Sequence, residues 1–261
     1  MKLVALIASE RKNGNSEISA KYIAKKLNAE LKILRLTKYK IEPCKACYAC
    51  LFGKECEIED DVYSILDEIE KGDAILISSP VYFLDATSKF KALLDRGFLA
   101  LQRLDSFSKK NCVILTFHGF KEAKGWASAT HLILARTFCF NVLANIEIRA
   151  ALPGEAFTDE NLKKLDLAVE VLKTGRKFVA KNQCPICLNT AFRIENGRIV
   201  CALCNSEFDR DMNLIKEGKW FIDLNWIREH FFKELVELKN EFKRKKDELK
   251  KLIEKYCSVE S

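Results

Sequence analysis

A chain of 261 residues with 48% apolar, 31% charged and 10% aromatic side chains can bury a core, which excludes a disordered chain and allows one large domain plus a small module. Its 44 Lys+Arg and 37 Asp+Glu give a formal charge of +7. Acids stand among the bases almost throughout, so the charge does not call for a nucleic-acid partner. The N-terminal Met1-Lys2-Leu3-Val4-Ala5-Leu6-Ile7 lacks the features of a secretory signal, and no apolar run approaches the ~18 residues of a membrane span. The expectation is a cytoplasmic protein with no membrane partner. In a reducing compartment its 11 cysteines are metal ligands, redox groups or core residues rather than disulfides.

Short apolar runs alternate with amphipathic stretches through the first two thirds. Lys2–Ala8 reads as a strand buried on both faces. A polar loop, Ser9–Asn15, follows, and Ser16 is expected to cap a helix to about Leu27. Leu31–Leu36 reads as a second strand. Lys38–Asp60 is irregular and holds four cysteines. A helix is expected from Asp60 or Asp61 to Lys71, a strand over Asp73–Ser79, a helix over Thr87–Leu104 and a strand over Asn111–Phe117. Ala127–Thr137 reads as a helix, Asn141–Ala150 as the fifth strand and Asn161–Ala180 as the closing helix. This alternation predicts an α/β fold: a doubly wound, five-stranded parallel sheet in the flavodoxin-like order 2-1-3-4-5. Ligands in such sheets bind at the carboxyl ends of the strands, here the loops at Ser9–Ser16, Ser79–Phe83 and Phe117–Phe120. The expected division is residues 1–180 for this domain, with a cysteine loop at 43–57, then a small hairpin module at 181–212 and a long C-terminal helix within 213–261.

Ser9, Arg11, Asn15 and Ser16 precede or begin a helix, whose free N–H groups and dipole suit a phosphate. The loop has neither a GxGxxG nor a GxxxxGK[ST] pattern, and an ordinary polar loop explains it too. Pro80, Val81, Tyr82 and Phe83 end the third strand with two aromatics, which either border a planar ring or pack on the next helix. These residues, with Ser88, Lys91 and Asp95-Arg96, together resemble the NADPH-dependent FMN reductase-like superfamily. The segment Pro43-Cys44-x-x-Cys47-x-x-Cys50, with Cys56 and Asp60-Asp61, most resembles its iron–sulfur flavoproteins. The resemblance covers roughly residues 1–180. It implies FMN, its phosphate held by Ser9, Arg11, Asn15 and Ser16. The isoalloxazine and ribityl would meet Pro80, Val81, Tyr82 and Phe83, with Thr116, Phe117, His118 and Gly119 as a weaker third loop. Two positions depart from the family: Glu10 stands where proline is usual, and Leu84-Asp85-Ala86 replaces a glycine-rich stretch.

Cys44, Cys47, Cys50 and Cys56 form C-x2-C-x2-C-x5-C, a spacing that suits a [4Fe–4S] cubane; zinc or no metal are the alternatives. Cys184, Cys187, Cys201 and Cys204 form C-x2-C-x13-C-x2-C around an Asn196-Gly197 turn. That resembles a zinc ribbon, with iron as the minor alternative. Phe231, Leu235, Leu238, Phe242, Leu249, Leu252 and Tyr256 make a heptad stripe, interrupted at Lys245, on a helix expected from Leu224 to Tyr256. Oligomerisation as a dimer or tetramer is its expected use. Cys112 and Cys139 read as core residues, and Cys257 has no assignment. His131 reads as structural, while His118 could bond flavin or donate a proton.

The function expected is an FMN-dependent redox protein. It would pass electrons between a soluble carrier, ferredoxin-like or NAD(P)H, and an acceptor through FMN and the cluster. A cluster-free NAD(P)H:FMN or quinone reductase is the alternative. A third reading, of another class, is a nucleic-acid- or protein-binding module made of the ribbon and the basic helix.

Overall fold

The computed structural model describes residues 1–121 and 124–256. Five strands, β1 (Lys2–Ile7), β2 (Glu30–Arg35), β3 (Ala74–Pro80), β4 (Asn111–His118) and β5 (Asn141–Arg149), form one parallel sheet in the order β2-β1-β3-β4-β5. Leu3 to Ile7 are fully buried because β1 is central and covered on both faces. Val4 and Leu6 point to one face, Leu3, Ala5 and Ile7 to the other. The second face is covered by α1 (Asn15–Leu27) and, later in the chain, by the sheet's last helix, Asp159–Thr174. The first is covered by α2 (Val62–Glu70) and α3 (Ser88–Asp95). After α3 the chain runs through a 3-10 segment, Gly97–Arg103, and the one-turn α4 (Leu104–Phe107); α5 (Ala127–Thr137) then packs on this same face. The helix Asp159–Thr174 is α6.

Several expected boundaries move for local reasons. α1 starts at Asn15 with Gly14 as its N-cap, so Ser16 lies in the first turn and caps nothing. The helix expected over Thr87–Leu104 stops at Asp95. At Gly97 the chain presses on α5, where a Cβ would come 2.5 Å from Thr137 Cγ2, and the tighter 3-10 winding follows. α6 ends at Thr174 rather than Ala180, because Gly175 takes a left-handed cap with φ +68°. The strand-like segment after it covers the β5 edge, where Phe178 N–H donates to Leu143 O at 2.8 Å.

The cysteine-paired region is a four-stranded antiparallel ribbon: β6 (Phe192–Glu195), β7 (Arg198–Cys201), β8 (Glu207–Phe208) and β9 (Leu214–Lys216). The Asn196-Gly197 turn joins β6 to β7 with φ of 49° and 75°. β8 and β9 are too short to carry an alternating pattern, so only the first hairpin was legible. The ribbon shares a core with α5 and the sheet. Asn145 Nδ2 donates to Leu188 O at 3.2 Å, and Arg136 Nη2 donates to Cys187 O at 3.3 Å.

The C-terminal region is α7 (Leu224–Glu229), capped by Asp223, then one π-helical turn over His230–Glu234, then α8 (Leu235–Tyr256). The single helix expected from Leu224 is thus interrupted, which redirects its apolar side. Ile227 and Phe231 are buried with Leu51, Leu101 and Leu104, while α8 buries no residue and holds the i,i+4 ion pairs Lys245–Glu241 and Lys250–Glu254. No helix among the described residues is long and apolar enough to cross a membrane. Cys257 lies outside the described residues.

Candidate functional site

The carboxyl ends of β1, β3, β4 and β5 gather four loops. The first is Ser9–Ser16. Gly14 N–H donates to Arg11 O at 3.2 Å, which closes a turn that delivers the chain into α1. Under it lies Glu17, buried and tied to the loop: Asn13 N–H donates to its carboxylate at 2.9 Å, Arg35 Nη2 at 2.6 Å, and Lys21 lies 2.6 Å away. Arg35 also donates to Ser9 O. Burial alone would raise this carboxyl. Hydrogen bonds from Lys21, Asn13 and Arg35 outweigh that and pull it down to about 2. A carboxyl lowered on folding stabilises the fold above its ordinary value near 4.5, and that contribution is lost as pH falls from there toward 2. Solvent screening leaves about 1–2 kcal/mol of it. Glu17→Gln is therefore expected to flatten the acid limb of apo-protein stability between those values, measured by urea titration at each pH. An unchanged limb would contradict this placement of the charge.

Asn15 does something other than face the loop. Its Nδ2 donates to Ala150 O at 3.1 Å and Leu152 O at 2.9 Å, and its Oδ1 accepts from Gly154 N at 3.1 Å and Ala156 N at 3.3 Å. The side chain braces the loop after β5 and leaves the helix's first N–H groups as the donors pointing outward. Arg11 reaches the same loop through Ala151 O at 3.4 Å. Ser9 and Ser16 are buried at the turn, and Ser78 Oγ donates to Ser16 O at 2.9 Å, locking α1 against β3. Glu10 is exposed and pairs with Lys38 at 3.4 Å.

At β3, Val81 N–H donates to Phe117 O at 2.8 Å. Tyr82 and Asp85 then exchange backbone hydrogen bonds of 2.9 and 3.0 Å around a two-residue turn. Phe83 and Leu84 occupy it with φ of 46° and 68°. Left-handed backbone costs a non-glycine residue about 1–2 kcal/mol. Leu84 begins the stretch Leu84-Asp85-Ala86, where the resemblance implies glycines. The turn is held from outside: Trp126 N–H donates to Leu84 O at 2.5 Å, and a Cβ on Gly125 would sit 1.8 Å from that oxygen. Phe83 is fully exposed, and Tyr82, Phe120 and Trp126 are more than half exposed, so an unburied aromatic rim surrounds this edge.

At β4, Thr116 turns inward; its hydroxyl lies 2.9 Å from His131 Nδ1. His131 is fully buried, and desolvation holds it at about 3, neutral and structural. Phe117 is buried, and a Cβ on Gly119 would lie 3.5 Å from Ala151 Cβ. His118 is buried, lowered by desolvation, and its Nδ1 lies 3.0 Å from Phe120 O. A carbonyl accepts only, so Nδ1 carries the proton and Nε2 is left as an acceptor. His118 is thus arranged to receive a hydrogen bond, not to donate a proton.

The first cysteine tetrad leaves the carboxyl end of β2 but does not stay there. Cys44, Cys47, Cys50 and Cys56 line one narrow cavity closed by Tyr48, Ile58, Arg96, Phe98 and Leu99. Arg96 follows the last residue of α3, whose eight residues span about 12 Å from the Ser88 end. Asp60 and Asp61 explain their place in the motif: Asp61 accepts from Lys40 N at 2.6 Å, Asp60 from Glu42 N at 3.0 Å and Val62 N at 3.2 Å. Together they pin the segment that leads into Pro43 to the start of α2. Desolvation, then the neighbouring sulfurs, raises the Cys50 thiol.

The second tetrad is different. Cys184, Cys187, Cys201 and Cys204 are buried, and all four sulfurs lie within 4.8 Å of one another, the only such set of three or more metal-ligating groups among the described residues. Cys184 and Cys204 sulfurs are 3.6 Å apart, Cys187 and Cys201 3.5 Å. Metal–sulfur bonds of ~2.3 Å in a tetrahedron place sulfurs ~3.8 Å apart, so the set fits one ion. Each knuckle closes alike: Leu188 and Asn205 take φ of 72° and 63° and donate to Cys184 O and Cys201 O. No three sulfurs of the first tetrad come that close. A cubane binds each thiolate to a different iron and accepts the wider spacing.

The family model for NADPH-dependent FMN reductase matches residues 1–146. The chain belongs to that family. An iron–sulfur flavoprotein of Archaeoglobus fulgidus is 33% identical over 167 residues, 63% of this chain and 75% of the relative. Another from the same organism is 38% identical over 116 residues, 43% of this chain and 56% of the relative. One from Methanosarcina thermophila is 34% identical over 116 residues, 43% of this chain and 60% of its own length. The matched segments thus span little more than half of the latter two relatives. A solved flavone reductase superposes with TM-score 0.63 at 19% identity, covering 96% of this chain and 97% of its own, a likeness of fold that includes the C-terminal third. The bracing by Asn15, Glu17 and Arg35 and the contact of Arg96 with the tetrad were not legible in the sequence, because each joins residues far apart along the chain.

Proposed function

We propose that this chain is a flavin-dependent oxidoreductase with FMN at the carboxyl edge of the sheet and a [4Fe–4S] cluster in the Cys44–Cys56 loop. It passes electrons between a soluble carrier, ferredoxin-like or NAD(P)H, and an acceptor such as oxygen, peroxide, a quinone or another protein. The observation that carries the reading is the narrow cavity lined by all four cysteines of the first tetrad, with no three sulfurs as close together as a single ion needs. Bound FMN supplies a two-electron centre able to release electrons singly, and the cluster supplies a one-electron centre. The first-turn N–H groups of α1, with Ser9, Arg11 and Ser16, hold the phosphate, while Asn15 holds the loop opposite. The backbone of Pro80–Phe83 and His118–Gly119 binds the ring edge, with His118 Nε2 as an acceptor, and Tyr82, Phe83 and Trp126 exclude water from its face. Tyr48, Phe98 and Leu99 shield the cluster. The second tetrad holds a structural Zn2+ that secures the ribbon. A dimer or tetramer formed through the stripe on α8 brings one subunit's cluster toward another subunit's rim. A reducing, cytoplasmic setting suits all of these groups.

Anaerobic purification followed by a visible spectrum and assays of flavin, iron, sulfide and zinc tests the reading. Flavin bands on a broad shoulder with about four irons per chain support it. Cys47→Ser is expected to remove the shoulder and most of the iron while leaving FMN bound. Flavin without iron in the wild type would sink the cluster and leave a cluster-free reductase.

A further inference from the structure

Arg96 is among the largest fully buried side chains in the molecule, and it forms part of the wall around the first tetrad. Its Nη2 donates toward Cys56 Sγ at 3.4 Å. Its Nη1 donates to Glu42 O at 3.2 Å and to the Asp60 carboxylate. That carboxylate is itself sealed from solvent and already takes two backbone N–H groups. Buried ion pairs contribute little net stability, because desolvating two charges offsets their attraction. An apolar pair would close the same wall at least as well. The distinctive consequence of a guanidinium here is electrostatic: a fixed cation and an N–H donor touch one cysteine sulfur, while a fixed anion stands behind them.

We propose that Arg96 is the positioning residue that raises the reduction potential of the iron–sulfur group held by Cys44, Cys47, Cys50 and Cys56, with Asp60 limiting the effect. This rests on the cluster reading given above. Reduction adds one electron and no proton. The extra negative charge spreads over the sulfur ligands, where the guanidinium stabilises it through the N–H···S contact and Asp60 opposes it. Removing the two charges one at a time must therefore move the potential in opposite directions. A residue that only props the loop open would not do this.

The test uses the full-length, anaerobically purified protein and its Arg96→Gln, Arg96→Lys and Asp60→Asn variants. Iron and sulfide are counted first. The fraction of cluster reduced is then read by low-temperature electron paramagnetic resonance in a dithionite titration with mediators. At the potential that half-reduces the wild type, Arg96→Gln is expected to lower the reduced-to-oxidised ratio at least tenfold, 59 mV for one electron. Asp60→Asn is expected to raise it, and Arg96→Lys, which keeps the charge, to stay within threefold. Shifts of the same sign in Arg96→Gln and Asp60→Asn, or none beyond threefold, overturn the proposal. So does loss of iron from all three variants with the fold intact, which makes Arg96 a prop. A wild type without iron or sulfide overturns the cluster reading itself, a result distinct from a loaded wild type whose variants do not shift.

Discussion

Substituting Cys187 by Ser, or stripping the ion from the second tetrad with a chelator, is expected to unfold residues 184–218 while leaving the five-stranded sheet folded. The ribbon's strands have four, four, two and three residues, and its buried apolar side chains are the four cysteines with Leu188, Val200, Leu203 and Phe208. So small a core cannot offset the entropy of ordering the chain. Structural zinc supplies an apparent ~10–16 kcal/mol to such modules. Without the ion, four thiols at van der Waals distance share protons among themselves: hydrogen bonding with Cys184 raises the Cys187 thiol and lowers that of Cys201. The loss should also spread to the C-terminal region. Ser206 Oγ accepts from Gly218 N at 2.9 Å, and the ribbon's register thereby places Phe221 against Trp226 and Phe231, at ring separations of 5.3 and 5.9 Å. Hydrogen-exchange mass spectrometry should show protection falling by more than tenfold across the ribbon and partly in α7, and unchanged in β1, β3 and β4. Full retention of ribbon protection in metal-free protein would refute a structural ion.

What the sequence made legible was whatever local pattern enforces. Leu3–Ile7 and Ala74–Ser79 are buried on both faces, so their unbroken apolar runs name strands of a parallel sheet, and the βα alternation then orders them. The Asn196-Gly197 hairpin and the two CxxC knuckles are local as well, which is why the gathering of those four cysteines is readable from their spacing. The elements that were misjudged depend on contacts between distant residues. Gly97 breaks a helix because Thr137 is there, and the π-helical turn at His230 redirects the C-terminal helix so that Phe231 meets Phe98. The same holds within the site. Thr116 and Asn15 stand at strand and helix ends where a ligand contact is the natural expectation, yet their side chains bond His131 and the 150–156 loop instead. The tetrad belongs to a loop that starts at the carboxyl end of β2, and only tertiary packing shows that it closes against Arg96 at the end of α3. Lys239 on α8 reaches the carbonyl of Cys47 and lies over the Tyr48 and Phe52 rings, a contact across 192 positions that no local reading could supply.

Asn15 gives the sharpest division between a residue that touches phosphate and one that shapes its site. Replacement by Ala removes four hydrogen bonds to the 150–156 segment. Each is worth about 1 kcal/mol net, and water will replace some of them on so exposed a loop, so a loss of about 2 kcal/mol is expected. That corresponds to roughly 30-fold weaker binding if it falls wholly on the flavin-competent arrangement of the loop. Riboflavin, which lacks the phosphate, separates the two roles. If Asn15 braces the loop, Asn15→Ala weakens FMN and riboflavin by similar factors in a fluorescence-quenching titration. If its amide binds phosphate, only FMN weakens. Asn15→Asp sharpens the comparison. It keeps two acceptors for Gly154 and Ala156, but it sets a carboxylate against the Ala150 and Leu152 carbonyls and beside any phosphate. FMN is then expected to weaken beyond the Ala variant and riboflavin to weaken less than FMN. A riboflavin affinity untouched by either substitution would return Asn15 to the phosphate shell and leave the 150–156 loop held by Arg11, Glu155 and Asn161 alone.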